Sequence, residues 1–142
     1  MGTLEPPDDC AECMSEHEPM LIATSRYQGH SAILASGLAP VRVTVGAPRF
    51  RLGFDLAGAC TMLAPYGAFG RDLDDEEFAA VYRQRLDRFG VDAIRSELKT
   101  LAGDAPGVVL LCFEDVHAGQ SCHRRVFAQW WQERTGEEVP EL

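Results

Sequence analysis

The stretch GVVLLCF, residues 107–113, decides the fold class, because it is apolar without interruption. A run of this kind is typical of a central parallel strand that is buried on both faces. A loop over residues 114–121 follows it, and then a helix that Gly136 ends. Four large apolar side chains of this helix are expected to face the core: Val126, Phe127, Trp130 and Trp131. We therefore predict a strand, a loop and a helix at the centre of the domain.

Further strands and helices precede this centre. The segments LIAT, residues 21–24, and VRVTV, residues 41–45, each predict a buried strand. Amphipathic helices are indicated over residues 74–90 and 91–103, each ending at a glycine. Weaker patterns indicate a helix over 32–38, a short helix around 56–63 and a last strand from Val139. This order predicts a small, mainly parallel sheet with helices packed on its faces, a Rossmann-like α/β fold.

The chain divides into an acidic extension and one folded domain. Residues 1–19 hold six of the 22 acidic residues and none of the 13 basic ones. They also contain three prolines and little that could be buried, so we predict that they are disordered. Residues 20–142 are long enough to form a single α/β domain with its own core.

Composition excludes several classes of partner. With a net charge of −9, the chain has no basic surface for non-specific binding of nucleic acid. No apolar run approaches the ~18 residues that span a membrane. Without a recognisable secretory signal, we expect a cytoplasmic protein whose five cysteines are reduced. The sequence gives no indication of the oligomeric state.

Polar side chains follow the predicted strands, at the sheet edge where parallel α/β proteins bind their ligands. Ser25, Arg26 and Tyr27 follow the first strand, and Arg49 lies a few residues past the second. Arg124 lies in the first turn of the last helix, where free N–H groups favour an anion. We predict that these five residues bind a small anionic ligand.

The same edge collects three candidate catalytic residues. Cys122 stands at the start of the last helix, where the helix dipole, His123 and Arg124 favour a reactive thiolate. Either Glu114, just past the buried strand, or His123 would move the proton. Alternatives stay open: Cys122 and Cys112 as core residues, and Glu114 as an ion-pair partner of Arg124.

Metal binding is possible by residue type at two places. Cys112, Glu114, Cys122 and His123 are suitable zinc ligands. However, nine residues separate the two cysteines, and adjacent helical residues diverge by about 100°. We therefore expect no metal and no cofactor at this site. The acidic extension carries a better spaced set that lacks a fourth ligand nearby: Cys10, Cys13 and His17.

Two short motifs carry a family resemblance. The strand end LLCFE, residues 110–114, and the helix start CHR, residues 122–124, together resemble the domain-of-unknown-function family numbered 488. The segment TSR, residues 24–26, and the helix that carries Tyr82 are also similar, so the resemblance covers about residues 20–142. It supports the predicted site. Because that family has no established reaction, the resemblance implies no particular activity.

Three hypotheses on function follow. The leading one is an enzyme that acts on a small anionic substrate containing a nucleotide or a phosphate. The second is a metal-stabilised or non-catalytic interaction module whose cysteines are structural. The third is a thiol redox sensor in which Cys112 and Cys122 form a reversible disulfide.

Overall fold

The computed structural model describes residues 20–119 and 122–142. Its strands are β1 (Leu21–Arg26), β2 (Ala39–Arg42), β3 (Gly58–Ala59) and β4 (Gly107–Cys112). Its helices are α1 (His30–Ser36), α2 (Asp75–Phe89), α3 (Val91–Ala102) and α4 (His123–Thr135). Short 3₁₀ turns span Thr61–Leu63 and Val116–Ala118.

The four strands form one parallel sheet in the order β1-β4-β2-β3. In the register of β1 with β4, Leu21 lies opposite Gly107 and Arg26 opposite Cys112. All six residues of β4 are buried, as the uninterrupted apolar run predicts. The predicted α/β fold with a parallel sheet and a central GVVLLC strand is therefore confirmed.

Side chains of β4 alternate between two cores, one on each face of the sheet. Val108 and Leu110 belong to the larger core, together with residues of α2, α3 and α4 that include Tyr82, Phe127 and Trp131. On the other face, Val109 and Leu111 pack with Ala23, Tyr27 and Ile33. Helices on both faces explain why β4 carries no polar side chain.

Local sequence signals set the helix boundaries. Asp74 caps α2 through a capping box with Glu77, whose backbone N–H lies 2.7 Å from Asp74 Oδ1. Gly90, at φ 86°, separates α2 from α3, as predicted. The first helix begins and ends two residues earlier than the predicted 32–38. It ends at Ser36 because Gly37 adopts the left-handed conformation.

The second strand lies closer to the N-terminus than predicted, at Ala39–Arg42 instead of 41–45. The Val43 N–H still donates to the Leu111 carbonyl of β4 at 3.3 Å, and the chain then leaves the sheet. The Arg42 guanidinium donates to the carbonyls of Thr44 and Val45, each at 3.2 Å. These bonds give the loop carbonyls partners that strand pairing would otherwise supply.

Two weaker predictions are wrong. Around residues 56–63 the chain forms β3 and a 3₁₀ turn instead of a short helix, because Gly58 and Ala59 pair with β2. The strand predicted from Val139 is reduced to an isolated parallel bridge between Thr24 and Glu141.

Within residues 20–119 and 122–142, no helix is both long and apolar enough to cross a membrane. The predicted disorder of residues 1–19, the tail set of Cys10, Cys13 and His17, and the loop end at Ser121 lie outside the described residues.

Candidate functional site

Two chain segments bring three reactive side chains together. Strand β4 ends at Cys112, and Cys122 caps the N-terminus of α4 in an extended conformation, φ −150° and ψ 142°. The backbone N–H of Arg124 donates to Cys122 Sγ at 3.5 Å. The two sulfurs and one ring nitrogen of His123 all lie within 4.8 Å of one another. All three residues are buried.

The imidazole of His123 is held from two sides. Its Nε2 lies 2.7 Å from the carbonyl of Val43, and because a carbonyl only accepts, Nε2 carries the hydrogen. The ring also makes an edge contact with Tyr82, with centroids 5.4 Å apart. Its second nitrogen, Nδ1, lies 3.7 Å from Cys112 Sγ and 3.9 Å from Cys122 Sγ. Cys112 Sγ also lies 3.4 Å from Nε2, so this sulfur is beside both ring nitrogens. Because Nε2 carries the hydrogen of the Val43 bond, Nδ1 is the nitrogen able to accept.

A cavity of about 600 Å³ opens beside this cluster. Glu114, Cys122 and His123 lie on its lining. Most of the remaining lining is apolar and comes from Pro65, Phe69, Phe78, Phe113, Val116 and Val126. Further lining residues are Thr44, Val45, Gly46, Asp75, Arg125 and Gln129. The cavity thus combines a largely apolar lining with a few ionisable side chains, as small-molecule sites do.

The environments of the two thiols differ. Burial raises the pKa of Cys112 well above its usual value. Burial also opposes ionisation of Cys122, but Cys112, His123 and the charge of Arg124 outweigh it and hold the pKa of Cys122 well below the usual range. Burial and the neighbouring Cys122 raise the pKa of Glu114. With no bound cation, the negative charge of the cluster is therefore expected on Cys122.

Arg124 lies inside the protein and is committed to other groups. Its side chain is 0% exposed, and Nε and Nη2 contact the carboxylate of Glu141 at 3.0 and 2.7 Å. Nη2 also donates to the backbone carbonyl of Glu114 at 2.9 Å. The ion pair considered from the sequence therefore forms with Glu141, and only the backbone of Glu114 takes part.

The other predicted anion ligands also lie away from the cavity lining. Ser25 and Arg26 belong to β1, which is two residues longer than predicted. Arg26 pairs with Asp115 at 3.3 Å. Arg49 is exposed, because β2 ends seven residues before it. The structure thus does not bring Ser25, Arg26, Tyr27, Arg49 and Arg124 together at this cavity.

Tyr27 is a core residue, and its hydroxyl contacts Thr44 Oγ1 at 2.7 Å. Because Thr44 Oγ1 donates to the Gly46 carbonyl, the tyrosine hydroxyl is the donor in this pair. Burial raises the pKa of Tyr27 to about 12. Its neutral form is therefore favoured in the folded protein more than in the unfolded chain.

Replacing Tyr27 with Phe is expected to lower the free energy of unfolding by about 1 kcal/mol at neutral pH. Above about pH 10 this difference should shrink, because Tyr27 then ionises in the unfolded wild type but not in the folded protein. Urea denaturation at pH 7 to 11 measures the effect. A difference that stays constant with pH, together with phenolate absorbance of Tyr27 near pH 10, would contradict it.

Cys122 and His123 are close enough to share a metal ion, contrary to the prediction from the sequence. The divergence of about 100° applies to two helical residues, whereas Cys122 precedes the helix in an extended conformation. Its sulfur therefore lies on the same side as the imidazole of His123, near Cys112.

Sequence reasoning also missed the residues that shape the site. The sequence indicated only an amphipathic helix over residues 74–90, yet Phe78 of this helix lines the cavity and Tyr82 contacts His123. Tyr82 is itself fixed by a hydrogen bond to the Leu63 carbonyl at 2.6 Å. The contact between the Val43 carbonyl and His123 could not be predicted, because every residue carries a backbone carbonyl and only the fold brings this one to the imidazole.

Comparison of the chain with protein-family models, with curated proteins and with solved structures finds no match. The resemblance to family 488 therefore stays a prediction.

Proposed function

We propose that this domain is an enzyme that acts on a small molecule held in the cavity, with its chemistry at Glu114, Cys122 and His123. One observation carries the proposal: three side chains able to bind or transfer protons share one wall of a largely apolar cavity of about 600 Å³. A cavity of this volume is in the range that binds small ligands.

The lining favours a substrate with an apolar body and little negative charge. Phe69, Phe78 and Phe113 offer aromatic surface, whereas Asp75 and Glu114 are acidic. Arg125 also lines the cavity, but its Nη1 donates to Thr24 Oγ1 and to the Val139 carbonyl at 2.9 and 2.8 Å. The proposal therefore departs from the nucleotide or phosphate substrate expected from the sequence.

A metabolite-consumption assay tests the proposal without a known substrate. The full chain is incubated with a small-molecule cell extract, and mass spectrometry detects compounds that disappear and products that form. We expect at least one compound to be consumed by the wild type and left intact by Glu114→Gln. Glu138→Gln, an exposed glutamate outside the cavity lining, is the matched control and should behave as the wild type.

Equal metabolite profiles for the wild type and Glu114→Gln would count against an enzyme at this site.

Inhibition by inorganic phosphate gives a second check on the substrate class. Because Arg26 and Arg124 form ion pairs elsewhere and Arg49 is not part of the cavity lining, added phosphate should not inhibit the consumption.

A further inference from the structure

We infer that Cys112, Cys122 and His123 bind a zinc ion whose fourth ligand position opens onto the cavity beside Glu114. The zinc site itself stands on the geometry of the three ligands. Its part in a reaction rests on the proposed function above.

The interatomic distances suit a tetrahedral zinc site. Zinc binds cysteine sulfur at ~2.3 Å and histidine nitrogen at ~2.0–2.1 Å, which places sulfur and nitrogen ligands about 3.6 Å apart. Nδ1 of His123 lies 3.7 Å from Cys112 Sγ and 3.9 Å from Cys122 Sγ. Both sulfurs lie within 4.8 Å of each other. Cys112 Sγ lies closer still to Nε2, at 3.4 Å, so this sulfur must swing toward the Nδ1 side of the ring for the three atoms to coordinate one ion.

The surroundings of His123 also suit a metal ligand. A histidine that ligates zinc usually donates its other ring N–H to a carbonyl or a carboxylate, which fixes the ring. Here Nε2 donates to the Val43 carbonyl at 2.7 Å, and the Tyr82 ring packs against the imidazole. Nδ1 is thereby the ring nitrogen that can bind a metal ion.

Charge balance favours a divalent cation at this position. The charge of Arg124 favours the Cys122 thiolate, but Arg124 also pairs with Glu141, so its single positive charge does not offset two buried thiolates. Two thiolates and one zinc ion sum to zero, whereas two ionised cysteines without the metal would repel each other in a buried site.

The fourth ligand position is expected to hold water rather than protein. Three protein ligands and one open position are typical of catalytic zinc sites, whereas structural sites use four protein ligands. Cys122 and His123 lie on the cavity lining, and so does Glu114, two residues after the ligand Cys112. Glu114 is outside the group whose ligand atoms lie within 4.8 Å of one another. Because Glu114 lines the same cavity as Cys122 and His123, we place it beside the position that a zinc-bound water would take.

This arrangement supports hydrolysis of a neutral substrate. The oxygen of the zinc-bound water forms a bond to the electrophilic carbon, and the water proton passes to the Glu114 carboxylate. The bond between that carbon and its nitrogen or oxygen leaving group breaks, and Glu114 returns the proton to the leaving group. Water is the only co-reactant, and no oxidant or reductant is needed.

Metal analysis tests the site directly. Every sample is the full chain with Cys10→Ser and Cys13→Ser, which removes a possible zinc site in the tail. We expect one equivalent of zinc by elemental analysis, and a cobalt-substituted protein with thiolate charge-transfer absorption. Loss of an outer-shell partner alone costs 10–100-fold, so Cys112→Ser, Cys122→Ser and His123→Gln should each weaken affinity by more than about 100-fold. Cys60→Ser, the matched control at another buried free cysteine, should retain the zinc.

Alkylation gives a second readout that needs no ligand variant. In the zinc-loaded protein, iodoacetamide should modify neither Cys112 nor Cys122, and a chelator should make Cys122 accessible to the reagent.

Less than about one tenth of an equivalent of zinc in the wild-type site, or an unchanged zinc affinity in Cys112→Ser, would overturn the zinc site. Stoichiometric zinc with no metabolite consumed would support the zinc site and reject the enzyme. If a chelator leaves the metabolite consumption unchanged, the result would support the enzyme and reject a role of zinc in its reaction.

Discussion

Replacing Arg124 with Met is expected to lower the free energy of unfolding by about 3–5 kcal/mol, the usual cost of removing one partner from a buried ion pair. The Arg124 side chain is fully buried and the carboxylate of Glu141 is 10% exposed. The substitution would leave that carboxylate buried, with the Thr24 hydroxyl as a remaining donor at 2.6 Å. It would also remove the hydrogen bond to the Glu114 carbonyl.

Arg134→Met is the matched control on the same helix. Arg134 is 44% exposed and pairs with Asp87 at 2.9 Å, so its loss should cost at most about 1 kcal/mol. Urea denaturation followed by tryptophan fluorescence compares the two variants. The double variant Arg124→Met with Glu141→Leu should be more stable than Arg124→Met alone, because no unpaired charge remains. Equal losses for Arg124→Met and Arg134→Met would show that Arg124 is not the buried structural cation described above.

Gly107→Ala is expected to cost about 3 kcal/mol or more, although a glycine-to-alanine change at a compatible position usually stabilises a protein slightly. A Cβ atom at position 107 would lie 1.8 Å from the carbonyl oxygen of Leu21 and 2.6 Å from its carbonyl carbon. Because these atoms belong to the β1 backbone, no side-chain rotation relieves the clash, and β1 must move away from β4.

Gly46→Ala provides the control for this variant. A Cβ at position 46 would have no atom within 4 Å, so its free energy of unfolding should change by less than about 0.5 kcal/mol. Denaturation measures the difference, and amide hydrogen exchange should show lost protection in β1. A Gly107→Ala protein as stable as Gly46→Ala would contradict the observed register of Leu21 opposite Gly107.

The fold was predictable where local signals are strong. The apolar run at residues 107–113, the apolar stripe of α2 and the glycine between α2 and α3 each determine an element by short-range chemistry. The two-residue strand β3 and the end of β2 were not predictable, since they depend on pairing between distant segments. A strand of two residues carries no hydrophobic period that could be recognised.

Part of the site was also predictable, because its residues follow from the predicted strand and helix boundaries. Parallel strands and helix N-termini meet at one sheet edge, and this rule correctly joined Cys112 and Glu114 to Cys122 and His123. The role of Arg124 was not predictable, because its partner Glu141 comes from the chain end and reaches it only in the folded state. The metal geometry was missed because helical spacing was assumed for Cys122, which caps the helix instead.

The most direct test of the proposed zinc site is an X-ray structure of the zinc-loaded protein, with data collected on both sides of the zinc absorption edge. We expect an anomalous peak ~2.3 Å from the sulfurs of Cys112 and Cys122 and ~2.0–2.1 Å from Nδ1 of His123. A water ligand should face the cavity next to Glu114. Two free thiols, or a Cys112–Cys122 disulfide, with no anomalous peak at this position would contradict it.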